Sequence, residues 1–423
     1  MTNKLETIYN RPYPFYLTSA MQHKSWGRFS FIGANPFLVL KSKGNDITIE
    51  RNGKILSKKG NPLEELRIIL NTYRTRPNPK KPAPFTGGAV GYLGYDLCQS
   101  IEKLPSTTKD DLEFPDMFFA FYDSDSVVPF NSVMPFGPDI PCHNTKQHRK
   151  NTVKSNFTKP EYLKAIKRVK EYIFAGDIYQ ANLSQRFEIP LTKHPLELFQ
   201  ALQQINPAPF SALLKPGENQ VIISSSPERF LKVSNGLVET RPIKGTRPRG
   251  TTKQQDNRLK KELYQSIKDN AELSMIVDME RNDLGRVCKY GSVKVTQHKV
   301  LETYPTLHHL VATIKGELDS RYDLVDVIKA TFPGGSITGA PKIRAMEIID
   351  ELEPTRRNVY TGAIGYIGFD GTMDLSIAIR IIMLNGNKAY YQVGGGIVAD
   401  SDPESEYEET LTKGKALMQA CLI

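Results

Sequence analysis

The sequence predicts an α+β fold in which antiparallel strands alternate with scattered helices. The chain has 423 residues, 39% of them hydrophobic, which is enough for a large core in roughly two or three domain-sized units. Strand-like and helical segments follow one another without the regular alternation of a wound parallel sheet. A glycine-rich strand segment also occurs twice, once in each half of the chain.

This repeated segment is the clearest strand signal. Residues 88–96 read Gly-Ala-Val-Gly-Tyr-Leu-Gly-Tyr-Asp, and residues 362–370 read Gly-Ala-Ile-Gly-Tyr-Ile-Gly-Phe-Asp. Both copies alternate glycine with branched or aromatic residues, which is typical of strands where a sheet bends or another backbone approaches closely. We therefore expect the two halves of the chain to share a strand-rich core plan.

Hydrophobic periodicity predicts the elements between the two copies. Apolar residues at helical spacing indicate a helix over residues 160–174, with Lys159-Pro160 as its start. Residues 180–189 and 221–233 read as strands. Residues 254–279 read as a second helix, whose apolar face would consist of Leu259, Leu263, Ile267, Ala271 and Met275.

A Pro- and Lys-rich span from Pro129 to Lys159 is the best candidate for a linker. It places a boundary near residue 150, between an N-terminal subdomain (residues 1–150) and a C-terminal domain (residues 151–423). Basic residues between Asn144 and Lys159 lack interleaved aromatics apart from Phe157, so we read them as a solvated linker and do not expect nucleic-acid binding.

Composition narrows the remaining classes of protein. The formal net charge of +10 is compatible with nucleic acid but serves equally to attract a small anionic substrate. Four cysteines without CxxC spacing imply neither a zinc site nor a disulfide framework. The first residues after Met1 are polar, and no apolar run is long enough to cross a bilayer. We therefore expect a cytoplasmic protein without membrane association.

One basic segment carries unusual chemistry. Between Arg241 and Gly250 a single lysine, Lys244, lies among Arg241, Arg247 and Arg249. Repulsion from these cations, added to burial, would favour a neutral and nucleophilic lysine amine near neutral pH. For this segment alone, a solvated loop that binds an anion is the alternative.

Four stretches together resemble one family, the chorismate-utilising enzymes. They are Ser-Pro-Glu-Arg-Phe at residues 226–230, Pro-Ile-Lys-Gly-Thr at residues 242–246, the glycine-rich segment at residues 332–342, and the pair formed by residues 394–396 and 406–410. The resemblance runs from about Pro160 to the C-terminus, with a weaker echo at residues 27–33. It implies two large antiparallel sheets packed as a sandwich with helices outside, and an N-terminal subdomain related to that of anthranilate synthase component I.

The resemblance also implies a magnesium site and a substrate pocket. Glu272, Glu406 and Glu409 match the magnesium ligands, and a helix from about Ser405 would place the last two on one face. An ordinary solvated helix is the alternative. The backbone N–H groups of the glycine segment and the planar guanidinium of Arg380 suit the carboxylates of chorismate. The residues that match the family's substrate-binding positions are Gln180, Thr246, His309, Thr338, Tyr360, Arg380, Gly394, Gly395, Gly396 and Lys413.

Two residues are implied as catalytic. Glu228 matches the general acid that protonates the departing C4 hydroxyl; a carboxylate merely paired with Arg229 is the alternative and would have a depressed pKa. Relatives that add water use a lysine where this chain has Gln180, so water is not the expected attacker. In aminodeoxychorismate synthases of this type a lysine at the position of Lys244 is thought to add at C2 before ammonia enters at C4.

The resemblance finally implies a partner. No cysteine lies in the Gly-x-Cys-x-Gly elbow that glutaminases use, so ammonia is expected from a separate glutamine amidotransferase subunit. The product would be 4-amino-4-deoxychorismate, for the synthesis of 4-aminobenzoate and folate. Anthranilate synthase component I is the close alternative, although it usually has alanine where this chain has Lys244. A non-catalytic anion-binding protein is the distant one.

Overall fold

Two antiparallel sheets, which contain ten and twelve strands within the described residues, form the centre of the fold. The computed structural model describes residues 2–20, 29–77, 81, 83–130, 153–191, 193–305 and 307–422. In chain order the strands are β1 (Phe15–Thr18), β2 (Ser30–Gly33), β3 (Leu38–Lys43), β4 (Asp46–Arg51), β5 (Lys54–Lys59), β6 (Gly88–Leu93), β7 (Met117–Tyr122), β8 (Val127–Phe130), β9 (Lys154–Ser155), β10 (Gln180–Pro190), β11 (Phe210–Leu214), β12 (Gln220–Ser226), β13 (Arg229–Ser234), β14 (Leu237–Arg241), β15 (Ile243–Pro248), β16 (Lys294–Thr303), β17 (Leu307–Glu317), β18 (Gly339–Ala340), β19 (Ala363–Gly368), β20 (Met373–Ile377), β21 (Ile381–Asn385) and β22 (Lys388–Ile397).

The helices cover the outer faces of the sheets. They are α1 (Thr2–Tyr9), α2 (Pro62–Thr72), α3 (Lys159–Phe174), α4 (Pro195–Ile205), α5 (Lys253–Gln265), α6 (Ile267–Gly285), α7 (Leu324–Thr331), α8 (Lys342–Leu352) and α9 (Pro403–Leu422). One buried cluster takes side chains from the facing sides of both sheets, and two others lie between a sheet and its helices. The predicted sandwich of two antiparallel sheets with helices outside is therefore confirmed.

Both halves of the chain contribute strands to each sheet, and the N-terminal strands lie together at one end of it. The first sheet has the order β18-β10-β22-β21-β12-β11-β1-β2-β8, with β9 beside β10. The second has the order β15-β17-β14-β13-β20-β19-β6-β7-β3-β4-β5, with β16 beside β17. The subdomain boundary near residue 150 and most of the proposed linker lie outside the described residues, as does the start of the echo at residues 27–33. The division into residues 1–150 and 151–423 therefore stays a prediction.

The two copies of the repeated segment are neighbouring strands. β6 and β19 pair antiparallel in the second sheet, with Gly91 opposite Gly365. A Cβ on Gly91 would lie 1.9 Å from the carbonyl oxygen of Phe118, and one on Gly365 would lie 2.1 Å from that of Asp374. These glycines are needed because the adjacent backbone approaches too closely for any side chain.

Several predicted elements are confirmed, and two are wrong in their continuity. α3 has the predicted span, and β10 begins at Gln180 as expected. The strand predicted over residues 221–233 is instead two strands, β12 and β13, which belong to different sheets and separate at Pro227, a residue without a backbone N–H. The helix predicted over residues 254–279 breaks at Ser266, which ends α5 and caps α6 by accepting the Asp269 N–H at 3.2 Å.

Within the described residues, no helix is both long enough and apolar enough to span a membrane. Three of the cysteines, Cys98, Cys288 and Cys421, are buried and free, and Cys142 lies outside the described residues.

Candidate active site

The site forms where the C-terminal end of β22 brings the two sheets together. A Cβ on Gly396 would lie 1.8 Å from Gln180 Nε2 and 3.5 Å from Lys244 Nζ, so side chains from β10 and from β15 meet over bare backbone. A Cβ on Gly395 would lie 3.1 Å from Glu406 Oε2, 3.9 Å from Lys413 Nζ and 4.0 Å from Glu409 Oε1. The glycine segment thus gathers five of the predicted site residues.

Lys244 lies on β15 beside a bulge. The register of β15 against β17 shifts at Gly245, whose φ of +78° favours glycine. Burial lowers the pKa of Lys244, and the Lys413 ammonium lowers it further, against the opposing charges of Glu272, Glu228 and Glu409. The predicted depression of the lysine pKa is therefore present, with burial as its main cause.

The three arginines are not the cause, and that part of the hypothesis is wrong. Arg241 pairs with Glu302 at 2.5 Å, Arg247 with Glu262 and Asp269 at 3.0 Å each, and Arg249 with Asp256 at 2.8 Å. A carboxylate therefore balances the charge of each guanidinium. These ion pairs connect β14, β15 and the residues that follow to α5, α6 and β16.

Glu228 lies between β12 and β13 and is buried. Its Oε1 accepts the Ile243 N–H at 3.3 Å. Burial raises the pKa of Glu228 to about 7, although the nearby Ser336 hydroxyl, the Ile243 amide and the Lys244 charge oppose the shift. Arg229 instead pairs with Asp374 and Glu239, each at 3.0 Å. The alternative of a carboxylate paired with its neighbouring arginine does not hold.

His309 has the features of a ligand-binding side chain. Its Nδ1 is 2.9 Å from Thr246 Oγ1, whereas its buried Nε2 has no hydrogen-bond partner in the described part of the chain. Burial and the charge of Arg380 lower the pKa of His309 to about 3, so the ring is neutral at neutral pH. The adjacent His308 points elsewhere and contacts Asp256 Oδ1 through Nε2 at 2.8 Å.

The other predicted pocket residues are buried or half-buried, apart from Thr246, which is exposed. Gln180 Oε1 is a second buried atom that lacks a partner among the described groups. Burial raises the pKa of Tyr360, so its side chain stays a neutral phenol. Arg380 adopts a φ of +52°, and its guanidinium donates a hydrogen bond to the Lys413 carbonyl. Thr338 Oγ1 donates to the Gly334 carbonyl at 3.0 Å. An unpaired buried polar group costs about 1–3 kcal/mol, so the two orphan atoms favour a polar ligand here.

The carboxylates predicted to hold magnesium are each close to a lysine. Glu409 pairs with Lys413 at 2.6 Å, and Glu406 Oε1 is 3.5 Å from Lys268 Nζ. Burial raises the pKa of Glu272. Burial also acts to raise the pKa of Glu409, but Lys413 and the more distant lysines hold it below its ordinary value.

These carboxylates fit magnesium by their chemistry. No group of three metal-ligating side chains is preassembled within the described ranges. Magnesium does not require one, because it binds through one or two carboxylates and keeps several waters. Oxygen donors from Glu406 and Glu409 face the same glycine, Gly395, as described above.

Two cavities lie away from this site. One of about 880 Å³ lies at the opposite end of the second sheet, beside the turn at Asn235, and contains none of the predicted site residues. The other, of about 220 Å³, lies between the sheets and is lined in part by Leu17 and Thr18 of the N-terminal segment.

The sequence interpretation missed the side chains that hold the pocket together. Arg357 and Glu353 form a buried ion pair behind Tyr360, and Thr240 Oγ1 donates to the buried Glu280 at 2.8 Å beside Glu228. The spacing of Glu353 and Arg357, four residues apart and just before the pocket tyrosine, was the available signal.

Lysines, an arginine and uncovered glycine backbone, gathered between two large antiparallel sheets, suit a small anionic ligand. Residues 13–419 match the family described as chorismate binding enzyme, and the chain belongs to that family. It is 39% identical to aminodeoxychorismate synthase component 1 of Bacillus subtilis. That alignment covers 93% of this chain and 89% of the Bacillus protein. It is 40% identical to the enzyme of the same name from Escherichia coli, over 96% of this chain and 93% of that protein.

Anthranilate synthases are similarly close. Component 1 from Acetivibrio thermocellus is 40% identical over 96% of this chain and 89% of that protein. The crystal structure of component I from Streptococcus pneumoniae superposes with a TM-score of 0.79 at 31% identity, over 93% of both chains. The isochorismate synthase MenF of Escherichia coli shares the fold, with a TM-score of 0.75 at 16% identity, over 99% of this chain and 91% of that one.

The raised pKa of Glu228 gives a pH prediction. If Glu228 is the general acid, only its protonated form is active, so the rate of chorismate conversion should fall as pH rises through about 7. Glu228→Gln should lower kcat by about 10²–10⁴-fold and abolish this limb of the pH profile. The matched control is Glu280→Gln, a buried carboxyl whose pKa is raised to about 8. An unchanged limb in Glu228→Gln, or its loss in the control alone, would contradict the assignment.

The carboxylate cluster gives a metal prediction. Glu409→Gln should raise the magnesium concentration needed for half-maximal activity by about tenfold or more, because one of the few anionic donors is removed. Glu408→Gln, the adjacent exposed residue on the same helix, should not change it. Magnesium titrations of both variants provide the measurement. Full activity of the parent chain in excess chelator would contradict the assignment of these carboxylates as magnesium ligands.

Proposed function

We propose that this chain aminates chorismate at C4 with ammonia to give 4-amino-4-deoxychorismate, and so acts as an aminodeoxychorismate synthase component I. The observation that carries the proposal is Lys244, whose pKa is lowered by burial and whose Nζ lies over the bare backbone of Gly396 beside Gln180. A neutral lysine amine can act as a nucleophile. The glutamine next to it cannot act as a base toward water.

The residues around Lys244 suit the two carboxylates of chorismate. The Gly394–Gly396 backbone, Arg380 and Lys413 can bind the enolpyruvyl carboxylate. Tyr360, Thr338, Thr246 and the neutral His309 line the remainder. Magnesium held by Glu272, Glu406 and Glu409 would supply positive charge against the ring carboxylate.

In the proposed reaction the Lys244 amine forms a bond to C2 and the ring double bonds shift. The C4–O bond breaks, and Glu228 gives its proton to the departing hydroxyl, which leaves as water. The new C2–N group stays protonated, so it can leave again as a neutral amine. Ammonia then forms a bond to C4, the double bonds shift back, and the C2–N bond breaks to release the Lys244 amine. The ammonium formed at C4 returns one proton to Glu228 and leaves 4-amino-4-deoxychorismate. Protonation by buried Glu228 requires the raised pKa described above.

Ammonia is proposed to come from a separate glutamine amidotransferase subunit. The chain has no Gly-x-Cys-x-Gly elbow, and the described cysteines are buried, with burial raising the pKa of Cys288 to about 11. None of these three thiols is suited to glutamine hydrolysis.

Anthranilate synthesis is the competing function. It is favoured by the 40% identity to anthranilate synthase component 1 from Acetivibrio thermocellus. In that reaction ammonia attacks C2 directly and pyruvate is eliminated, so no lysine nucleophile is needed. Lys244 is the residue that argues against it.

The products of one incubation distinguish the two functions. With chorismate, magnesium and an ammonium salt, the purified chain should form 4-amino-4-deoxychorismate, which retains the enolpyruvyl group, and release no pyruvate. Glutamine in place of ammonium should give no product until an amidotransferase subunit is added. Products are identified by NMR and mass spectrometry. Fluorescent anthranilate with stoichiometric pyruvate would overturn the proposal in favour of its competitor.

A further inference from the structure

Arg357 lies in the loop between α8 and β19 and is buried with its counter-ion. Its side chain is 1% exposed, as is that of Glu353. Arg357 Nε donates to Glu353 Oε2 at 2.9 Å, and Nη2 donates to Oε1 at 2.6 Å. This bidentate geometry orients the guanidinium and leaves donors on both Nη atoms to bind other groups.

Those remaining donors reach three separate segments of the substrate pocket. Nη1 donates to the Ile337 carbonyl at 3.1 Å and to Thr361 Oγ1 at 3.3 Å, and Nη2 donates to the Asn182 carbonyl. Ile337 directly precedes Thr338, Thr361 directly follows Tyr360, and Asn182 lies two residues after Gln180 on β10. One side chain therefore bonds next to three predicted substrate-binding residues.

Further hydrogen bonds close this network. Asn182 Nδ2 donates to the same Ile337 carbonyl at 3.0 Å, and Glu353 Oε1 accepts both the N–H of Ser184 at 2.8 Å and its hydroxyl at 2.7 Å. On the other side, the Arg357 guanidinium lies 4.7 Å from the centre of the Tyr95 ring. The guanidinium thus has protein partners for its hydrogen bonds and an aromatic ring nearby, and the side chain is almost fully buried.

We propose that Arg357 is a positioning residue, which sets the spacing of Gln180, Thr338 and Tyr360 around the substrate through its bonds to Asn182, Ile337 and Thr361. The inference rests on the proposed substrate pocket but not on the product formed there. Lysine cannot replace arginine here, because a single ammonium cannot bind Glu353 in a bidentate manner and reach the three acceptors together. Small displacements of substrate-positioning groups cost large factors in rate.

The test must separate positioning from simple stability. Arg357→Lys keeps the positive charge but loses the planar guanidinium that binds Glu353 in a bidentate manner. The double variant Glu353→Gln/Arg357→Met leaves no uncompensated buried charge and keeps an amide oxygen for Ser184, so it should be more stable than Arg357→Met alone. Arg186→Lys is the control, because Arg186 is also buried on β10 and pairs with Asp111 at 2.5 Å, yet it does not bond to the pocket segments.

For each variant the thermal midpoint, the Kd for chorismate by calorimetry, and KM and kcat are measured. Both Arg357 variants should lose about tenfold to a hundredfold in kcat/KM, with a matching loss in chorismate affinity, even where the double variant regains thermal stability. Arg186→Lys should lower the thermal midpoint while KM and Kd stay within about twofold of the parent.

Two results would overturn the inference: a double variant with parental KM and Kd, or an Arg186→Lys variant that loses as much affinity as Arg357→Lys. A parent chain that binds chorismate but makes anthranilate would refute the proposed function alone, since Kd and KM would still test Arg357. If Arg357→Lys does not fold, the double variant decides the question.

Discussion

The site depends on the absence of side chains at Gly395 and Gly396. These glycines lie at the end of a strand of the first sheet, where Lys244 from the second sheet, Gln180 from the neighbouring strand and three charged residues of the C-terminal helix all approach. Any Cβ at Gly396 would overlap the Gln180 amide at 1.8 Å. Close approach of the two sheets is what turns separate sequence motifs into one pocket, and it leaves backbone amides available to a carboxylate.

The electrostatics of the pocket follow from this crowding. Three carboxylates, Glu272, Glu406 and Glu409, lie among the ammonium groups of Lys244, Lys268 and Lys413. In this setting burial lowers the pKa of Lys244 and raises that of Glu228, so the nucleophile tends toward its neutral form and the acid toward its protonated form. Both shifts favour the protonation states that the proposed chemistry needs near neutral pH.

Local patterns predicted local structure well. The helix at residues 159–174 has its periodicity and its capping box, formed by Thr158 and Glu161, within a short stretch of chain. The glycine-rich pattern correctly predicted a strand for each of its two copies. The two strands pair with each other, and the neighbouring backbone approaches so closely that only glycine fits. The sandwich itself came from the family resemblance, because periodicity alone does not specify which strands become neighbours.

What the sequence could not predict depends on residues far along the chain. The sequence pattern around Lys244 shows no counter-ions for its arginines, yet Arg241 pairs with Glu302, 61 residues away. Arg357 bonds to the Asn182 carbonyl across 175 residues and to the Ile337 carbonyl across 20. Backbone carbonyls leave no trace in a residue pattern, so a side chain whose role is to bind them is invisible until the fold brings the segments together.

The central claim is that Lys244 itself forms a bond to the substrate. Peptide mass spectrometry after incubation with chorismate and magnesium, without ammonia, tests this directly. The account predicts a mass increase of chorismate minus water on the peptide that contains Lys244, with no increase in Lys244→Ala or in Lys244→Arg, whose guanidinium stays protonated. An unmodified lysine in the parent chain, together with undiminished turnover in Lys244→Ala, would contradict it.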